Sequence, residues 1–286
     1  MDKYQEAIGK FTAPLSDGKL TDTVAHLIEK NFKEAYNTQT LKTIHGCIDL
    51  TSLTSIDTKE SIFKLVNTVN DFEGERPDIP NVAAICTYPL FVETVKQSLT
   101  AENVRIASVA GGFPSSQTFQ EVKVAETAMA VLEGAEEIDI VMNLGYFFEE
   151  NYDELTEEIS EIKESCRGSL LKVILETGAL ASAENIHKAA ILSVYSGADF
   201  VKTSTGKGYP GASPEAVYTI CQVLKQYKQE TGKTVGIKIS GGIRTAEDAV
   251  KYYCIVKEVL GEEWLKPEHL RFGASTLSAD ILKKIG

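Results

Sequence analysis

Eight short runs of β-favouring residues recur along the 286 residues, and that recurrence limits the fold more than any single motif does. They are TIHGCIDL (43–50), VAAICTY (82–88), RIASVAGG (105–112), EIDIVMNL (137–144), LLKVILET (170–177), FVKTST (200–205), TVGIKIS (234–240) and LRFGAS (270–275). Their starts are spaced by about 25 to 40 residues, the length of one strand–helix unit. Between them lie TFQEVKVAETAMAVLEGA, NIHKAAILSVYSGA and AEDAVKYYCIVKEVLG, whose apolar residues recur at spacings of three and four as an amphipathic helix requires. Several close on glycine, the usual residue just past a helix C-terminus. The runs are rich in Val and Ile, as parallel strands buried on both faces must be. Eight such units predict an α/β chain folded as a closed (β/α)8 TIM barrel, with an open doubly wound sheet as the rival. Residues 1–42 carry helical patterning (VAHLIEKNFKEAY) and are expected to form a helical extension capping the barrel's N-terminal face. Residues 43–286 form the barrel, and no linker divides the chain.

The informative residues are the polar ones inside these apolar runs: Asp49, Asp139, Lys172, Lys202 and Lys238. One lysine in a strand is usually an edge residue or a snorkelling side chain. Five charges in equivalent places on five strands are harder to assign to structure alone, since an unpaired buried charge is costly. A purely structural ion-pair network is the alternative. In a barrel the C-terminal strand ends converge on one pocket, so these side chains meet there. Lys202 and Lys238 sit on successive strands and become neighbours. A lysine attacks a carbonyl only when neutral, and its ordinary pKa is about 10.4. Burial lowers that value, and a second ammonium lowers it further. Lys202 beside Lys238 has both ingredients, and Asp139 is placed to shuttle a proton or orient a water.

The glycine-rich stretches point to a phosphate. GKGYPG (206–211) fits the GxGxxG pattern, but no acidic residue follows at the dinucleotide spacing, so that reading fails. Instead the turn puts Gly206 and Lys207 just beyond Lys202, where exposed amides and a cation suit a monophosphate. SGGIRTAEDA (240–249) and FGASTLSADIL (272–282) follow the seventh and eighth strands, where barrels commonly hold phosphate. Arg244 is a second cation there, or a surface residue.

The formal net charge of −12 argues against a nucleic-acid partner, and no segment has the length or apolarity of a membrane span. The N-terminus carries no apolar signal core, which predicts a soluble cytoplasmic protein. The five cysteines form no CxxC pair and the four histidines have no ligand spacing, so no metal or other cofactor is expected. His45 reads as a core or barrel-floor residue of the first strand, Glu176 as a partner for a nearby cation, and Cys86 as a thiol at the pocket edge.

With these residues in view the chain resembles the deoxyribose-phosphate aldolase family over about residues 43–285. The motifs are CIDLTSL, AAICTYPLFV, EIDIVMN, LKVILETG, DFVKTSTGK, VGIKISGGIRTAEDA and RFGASTL. The resemblance implies reversible cleavage of 2-deoxy-D-ribose 5-phosphate to D-glyceraldehyde 3-phosphate and acetaldehyde, without a metal. It implies that Lys202 forms the Schiff base, that Lys238 perturbs it and that Asp139 assists proton transfer. It assigns the phosphate to Lys207, Gly241, Gly242, Ser275 and Thr276, with Thr205 beside them. Asp49, Lys172 and Cys86 match further pocket residues. Some members carry a tail ending in tyrosine that helps deliver a proton. This sequence ends at Gly286, directly after its last predicted helix, so it is expected either to do without that aid or to use another group or water. Rival readings are a Schiff-base aldolase for a different phosphorylated sugar and a non-catalytic barrel that binds a sugar phosphate. The expected partner is a small phosphorylated sugar, and by analogy with other barrel enzymes a second copy in a homodimer.

Overall fold

The computed structural model describes residues 3–286. Eight strands form a closed parallel barrel in chain order. They are β1 (Ile48–Thr51), β2 (Ala84–Thr87), β3 (Arg105–Val109), β4 (Glu137–Val141), β5 (Leu170–Ile174), β6 (Phe200–Lys202), β7 (Gly236–Ser240) and β8 (Leu270–Ala274). β8 pairs back onto β1 through Ile48↔Phe272, Asp49↔Gly273 and Leu50↔Ala274, so the sheet has no edge. Each strand is followed by a helix of the outer ring, and the closure of β8 onto β1 excludes the open-sheet alternative.

Local chemistry sets the boundaries of the helices. Ser182, Ser213 and Thr245 each accept a hydrogen bond from a backbone N–H in the first turn of the helices Ala183–Tyr195, Pro214–Thr231 and Ala246–Leu260. Thr58 and Ser61 form a reciprocal capping box at the start of Lys59–Glu75. Gly134 and Gly261 end their helices at positive φ, as the sequence predicts.

Two expectations are corrected. The first run begins with helix: Thr38–His45 is helical and the strand starts only at Ile48. His45 therefore lies at a helix C-terminus, bonded to the Pro80 carbonyl at 2.7 Å and Ser278 Oγ at 2.9 Å and stacked on Phe72. The N-terminal helices also do not cap the barrel floor. Asp17–Ala35 packs along the outer helices Ala246–Leu260 and Pro214–Thr231, and Lys3–Gly9 packs against Ala183–Tyr195. The buried stripe Leu20, Val24 and Leu27 joins the same hydrophobic core as the outer helices.

The floor is consequently open. A cavity of about 1100 Å3 lies there, with Arg105, Glu136, Asp199, Phe200 and Arg271 among its lining. The lysines that the sequence singles out point to the other end of the barrel.

Candidate active site

Side chains alternate along a strand, so every second residue of β4–β8 enters the barrel. On β4 these are Glu137 and Asp139, with Ile138 and Ile140 turned outward. The register then sets the neighbours. Asp139 lies across from Lys172, Lys202 across from Lys238, and Lys238 across from Arg271. All of these charges are buried.

They form one ion network. Asp139 Oδ2 accepts hydrogen bonds from Lys202 Nζ and Lys238 Nζ, each at 2.7 Å. Lys238 Nζ is also 2.5 Å from Asp49 Oδ2, and Lys172 Nζ donates to the same Asp49 oxygen at 2.8 Å. Lys172 lies 2.5 Å from Glu137 Oε2. Beneath them Arg271 donates to Asp49 Oδ1 at 2.6 Å and to both oxygens of Glu137 at 2.7 and 3.0 Å. Phe200 supports the layer from below, its ring centre 5.9 Å from Lys172 Nζ and 5.7 Å from Arg271 Cζ. Two glycines make the space. A Cβ at Gly236 would meet the Phe200 ring at 2.3 Å, and one at Gly273 would meet Lys238 Cε at 3.1 Å.

The three lysines do not titrate alike. Burial, the largest cause, and the Lys238 ammonium push Lys202 below the ordinary lysine value, with Asp139 opposing. Burial also works against Lys238, but Asp139 and Asp49 outweigh it and hold that ammonium well above its ordinary value. Lys172 is raised in the same way against its burial, by Asp139, Asp49 and Glu137. Burial disfavours the Asp139 and Asp49 carboxylates, yet their cationic neighbours hold both below the usual range. The short Lys202–Asp139 contact is compatible with a neutral amine. The amine donates one N–H to Asp139 and keeps its lone pair, while Lys238 supplies the positive charge that the carboxylate needs. Asp139 Oδ1 accepts no hydrogen bond in the described structure.

The wall opposite the charges is apolar. Leu53, Ala84, Cys86, Ala107 and Val109 cluster there, with Tyr88 and Phe113 packed against them. Cys86 is buried, and that burial pushes its thiol above the ordinary value, so it lines the pocket as a small neutral group.

The glycine-rich turns converge above Lys202. Gly206, Gly241 and Gly242 all have positive φ, and a Cβ at Gly211 would lie 2.0 Å from the Gly241 carbonyl oxygen. The turns after β6 and β7 are therefore in backbone contact, and the interstrand pair Ser240↔Gly273 carries the β8 turn, with exposed Ser275 and Thr276, alongside. Lys207 Nζ donates to the Leu53 carbonyl in the turn after β1. Arg244 is exposed. Glu176 departs from its expected part as a cation's partner: it accepts from Thr205 N–H at 3.2 Å and Thr205 Oγ1 at 2.5 Å. It thereby holds the turn that carries Lys207, whose N–H donates to Thr205 Oγ1 at 3.0 Å.

Glu137 and Arg271 were missed although both stand in the quoted runs. Period-two counting back from Asp139 reaches Glu137, whereas Arg271 needs the β7–β8 register. Among the described residues no group of three or more His, Cys, Asp and Glu side chains could hold a metal ion, and no helix is long and apolar enough to cross a membrane.

Residues 43–281 match the family described as DeoC/LacD family aldolase. The chain is 38% identical to the deoxyribose-phosphate aldolase of Bos taurus over 251 residues, covering 84% of this chain and 78% of that one. It is 37% identical to the Homo sapiens enzyme of the same name over 250 residues, covering 83% and 78%. A solved deoxyribose phosphate aldolase from Aeropyrum pernix, described as a unique tetrameric structure, superposes with a TM-score of 0.69 at 25% identity, covering 90% of this chain and 96% of that one.

Proposed function

The chain belongs to the DeoC/LacD aldolase family, and on that premise we propose that it cleaves 2-deoxy-D-ribose 5-phosphate reversibly to D-glyceraldehyde 3-phosphate and acetaldehyde through a Schiff base on Lys202. The observation that carries the reading is the buried Lys202–Asp139–Lys238 contact at the C-terminal end of the barrel. It combines burial with a neighbouring ammonium, the two conditions that free a lysine lone pair near neutral pH.

Neutral Lys202 attacks C1 of the open-chain sugar, forming a carbinolamine. Loss of hydroxide as water, with the proton relayed by Asp139, leaves a protonated imine. The two-carbon product requires cleavage of the C2–C3 bond, which joins the α and β carbons of that imine. The C3 hydroxyl proton leaves toward a water or Asp139 Oδ1, which accepts no hydrogen bond and lies 3.4 Å from Lys172 Nζ. C3 becomes the aldehyde of glyceraldehyde phosphate, and the bonding pair flows into the iminium to give an enamine. Protonation at C2 and hydrolysis release acetaldehyde and regenerate the amine.

The phosphate is assigned to Lys207 and the turns carrying Gly241, Gly242, Ser275 and Thr276, with Thr205 shaping the approach. Holding the far end of the sugar orients C1 toward the amine. Asp49 and Lys172 keep the charged layer in register, and Cys86 belongs to the wall beside the reacting carbons. A cytoplasmic setting and homodimer formation complete the proposal, and the tetrameric Aeropyrum pernix relative supports self-association of some order.

Borohydride reduction in the presence of acetaldehyde tests this reading. A two-carbon adduct on Lys202 is expected, with its loss and the loss of deoxyribose 5-phosphate cleavage in Lys202→Leu. No adduct in wild-type protein that still binds phosphate would sink it. An adduct without cleavage of that sugar would move the assignment to another phosphorylated substrate.

A further inference from the structure

Four cations meet three carboxylates inside the barrel. Lys172, Lys202, Lys238 and Arg271 face Asp49, Glu137 and Asp139, all buried. We propose that Arg271, bridging Asp49 and Glu137 beneath the lysines, is the positioning residue that makes Lys202 the uncharged member of this group. The proposal rests on Lys202 being the nucleophile and adds the reason its charge is missing.

The argument is geometric. A guanidinium keeps its charge at all working pH values, so Arg271 claims carboxylate that the lysines would otherwise share. It takes Glu137 through both oxygens and Asp49 through Oδ1. Lys172 contacts Asp49 Oδ2, shares Glu137 Oε2 with Arg271 and lies 3.4 Å from Asp139 Oδ1, while Lys238 contacts Asp49 Oδ2 and Asp139 Oδ2. Lys202 contacts only Asp139 Oδ2, an oxygen already occupied by Lys238. With three negative charges and four cations, the cation with the fewest carboxylate contacts is the one that loses its proton. Arg271 touches no reacting atom and acts through Asp49, Glu137 and the lysines they hold.

The other groups packed on the network leave the balance as stated. On β3, Arg105 lies 3.8 Å from Glu137, but it is half-exposed and screened by water. Glu136, Asp199, Glu268 and His269 line the open floor cavity, where water screens them too. Cys86 on β2 and Cys47 before β1 stay neutral, because burial pushes both thiols up, Cys47 to about 12.

Counting charges makes opposite predictions for two substitutions. Arg271→Met leaves three lysines against three carboxylates, so Lys202 keeps its proton. Glu137→Gln leaves four cations against two carboxylates, so Lys202 loses its proton more readily. The double substitution restores an excess of one.

The experiment is the rate of borohydride-trapped imine formation with acetaldehyde as a function of pH. The acidic limb is expected to rise by about one pH unit or more in Arg271→Met and to fall in Glu137→Gln. In the double variant it returns to the wild-type position. Shifts of the same sign in both single variants, or an unmoved limb in either, overturn the proposal. If Arg271→Met does not fold, Glu137→Gln and the double variant decide it. Wild-type protein that traps no acetaldehyde at any pH refutes the nucleophile instead, so the two failures are distinct.

Discussion

Asp139 Oδ2 carries two lysine contacts, and the site depends on their not being equivalent. Lys238 reaches a second carboxylate, Asp49, whereas Lys202 does not. In the proposed cycle, conversion of Lys202 to a protonated imine returns the fourth positive charge to the barrel, where it draws the C2–C3 bonding pair. Small displacements of Lys238 therefore matter. A Cβ at Gly273 would sit 3.1 Å from Lys238 Cε and 2.9 Å from Ser240 Cβ. Gly273→Ala is expected to move the ammonium off Asp139 and lower kcat about 10-fold or more, with little change in KM. Steady-state kinetics on deoxyribose 5-phosphate measure this; an unchanged kcat in the folded variant counts against it.

At the scale of elements, β6 is the shortest-served strand: only Phe200–Lys202 is regular, and the chain then leaves for the turn that holds Lys207. That turn is kept in place by Glu176, which takes a left-handed conformation (φ 56°) between β5 and the short helix Thr177–Leu180. A second buried charge pair secures the turn after β3. Lys123 Nζ, on the helix Gln120–Glu133, donates to Ser116 Oγ at 2.8 Å and Glu158 Oε2 at 2.7 Å, with all three residues buried. This turn carries Phe113 to the apolar wall of the site. Lys123→Met strands the Glu158 carboxylate, and a loss of about 3–5 kcal/mol is expected, read as a lower urea midpoint. Lys123→Met with Glu158→Leu should recover most of it. A single variant as stable as wild type would show that the pair does not hold the turn.

For the whole molecule, the charged barrel interior ties stability to pH. Asp49 and Asp139 have folded-state values depressed by the surrounding cations, despite a burial cost that acts the other way. A depressed carboxylate contributes stability that is fully present above its unfolded value, about 3.9, and is lost as pH falls below it toward the folded value. Lys172 and Lys238 have raised values, so their contribution is complete below about 10.4 and fades only as pH rises through the folded values. Lys202 has a lowered value, so the urea midpoint is expected to rise with pH above that folded value, where the unfolded chain holds a proton that the folded amine has lost, and to drop below about pH 4 as the carboxylates protonate. In Asp49→Asn that acid-side drop should be shallower, from a lower starting stability. An identical slope in the variant would remove Asp49 from the linkage.

The barrel was legible in the sequence because its signals are local and repeated: apolar runs at regular intervals, helix periodicity between them, capping hydroxyls and terminal glycines. Lys202, Lys238, Asp139, Asp49 and Lys172 were legible for a related reason, since a charge inside an apolar run stands out along the chain. The edges were less readable. TIHGCIDL joins helix to strand, and the amphipathic N-terminal helix does not reveal which surface receives it. Arg271 and Asp49 are 222 positions apart and meet only when β8 closes onto β1. Which lysine is uncharged is a property of the summed field of seven side chains from six strands, and no stretch of sequence contains that sum. Periodicity and composition act between near neighbours, whereas charge state depends on distances that exist only once the barrel has closed.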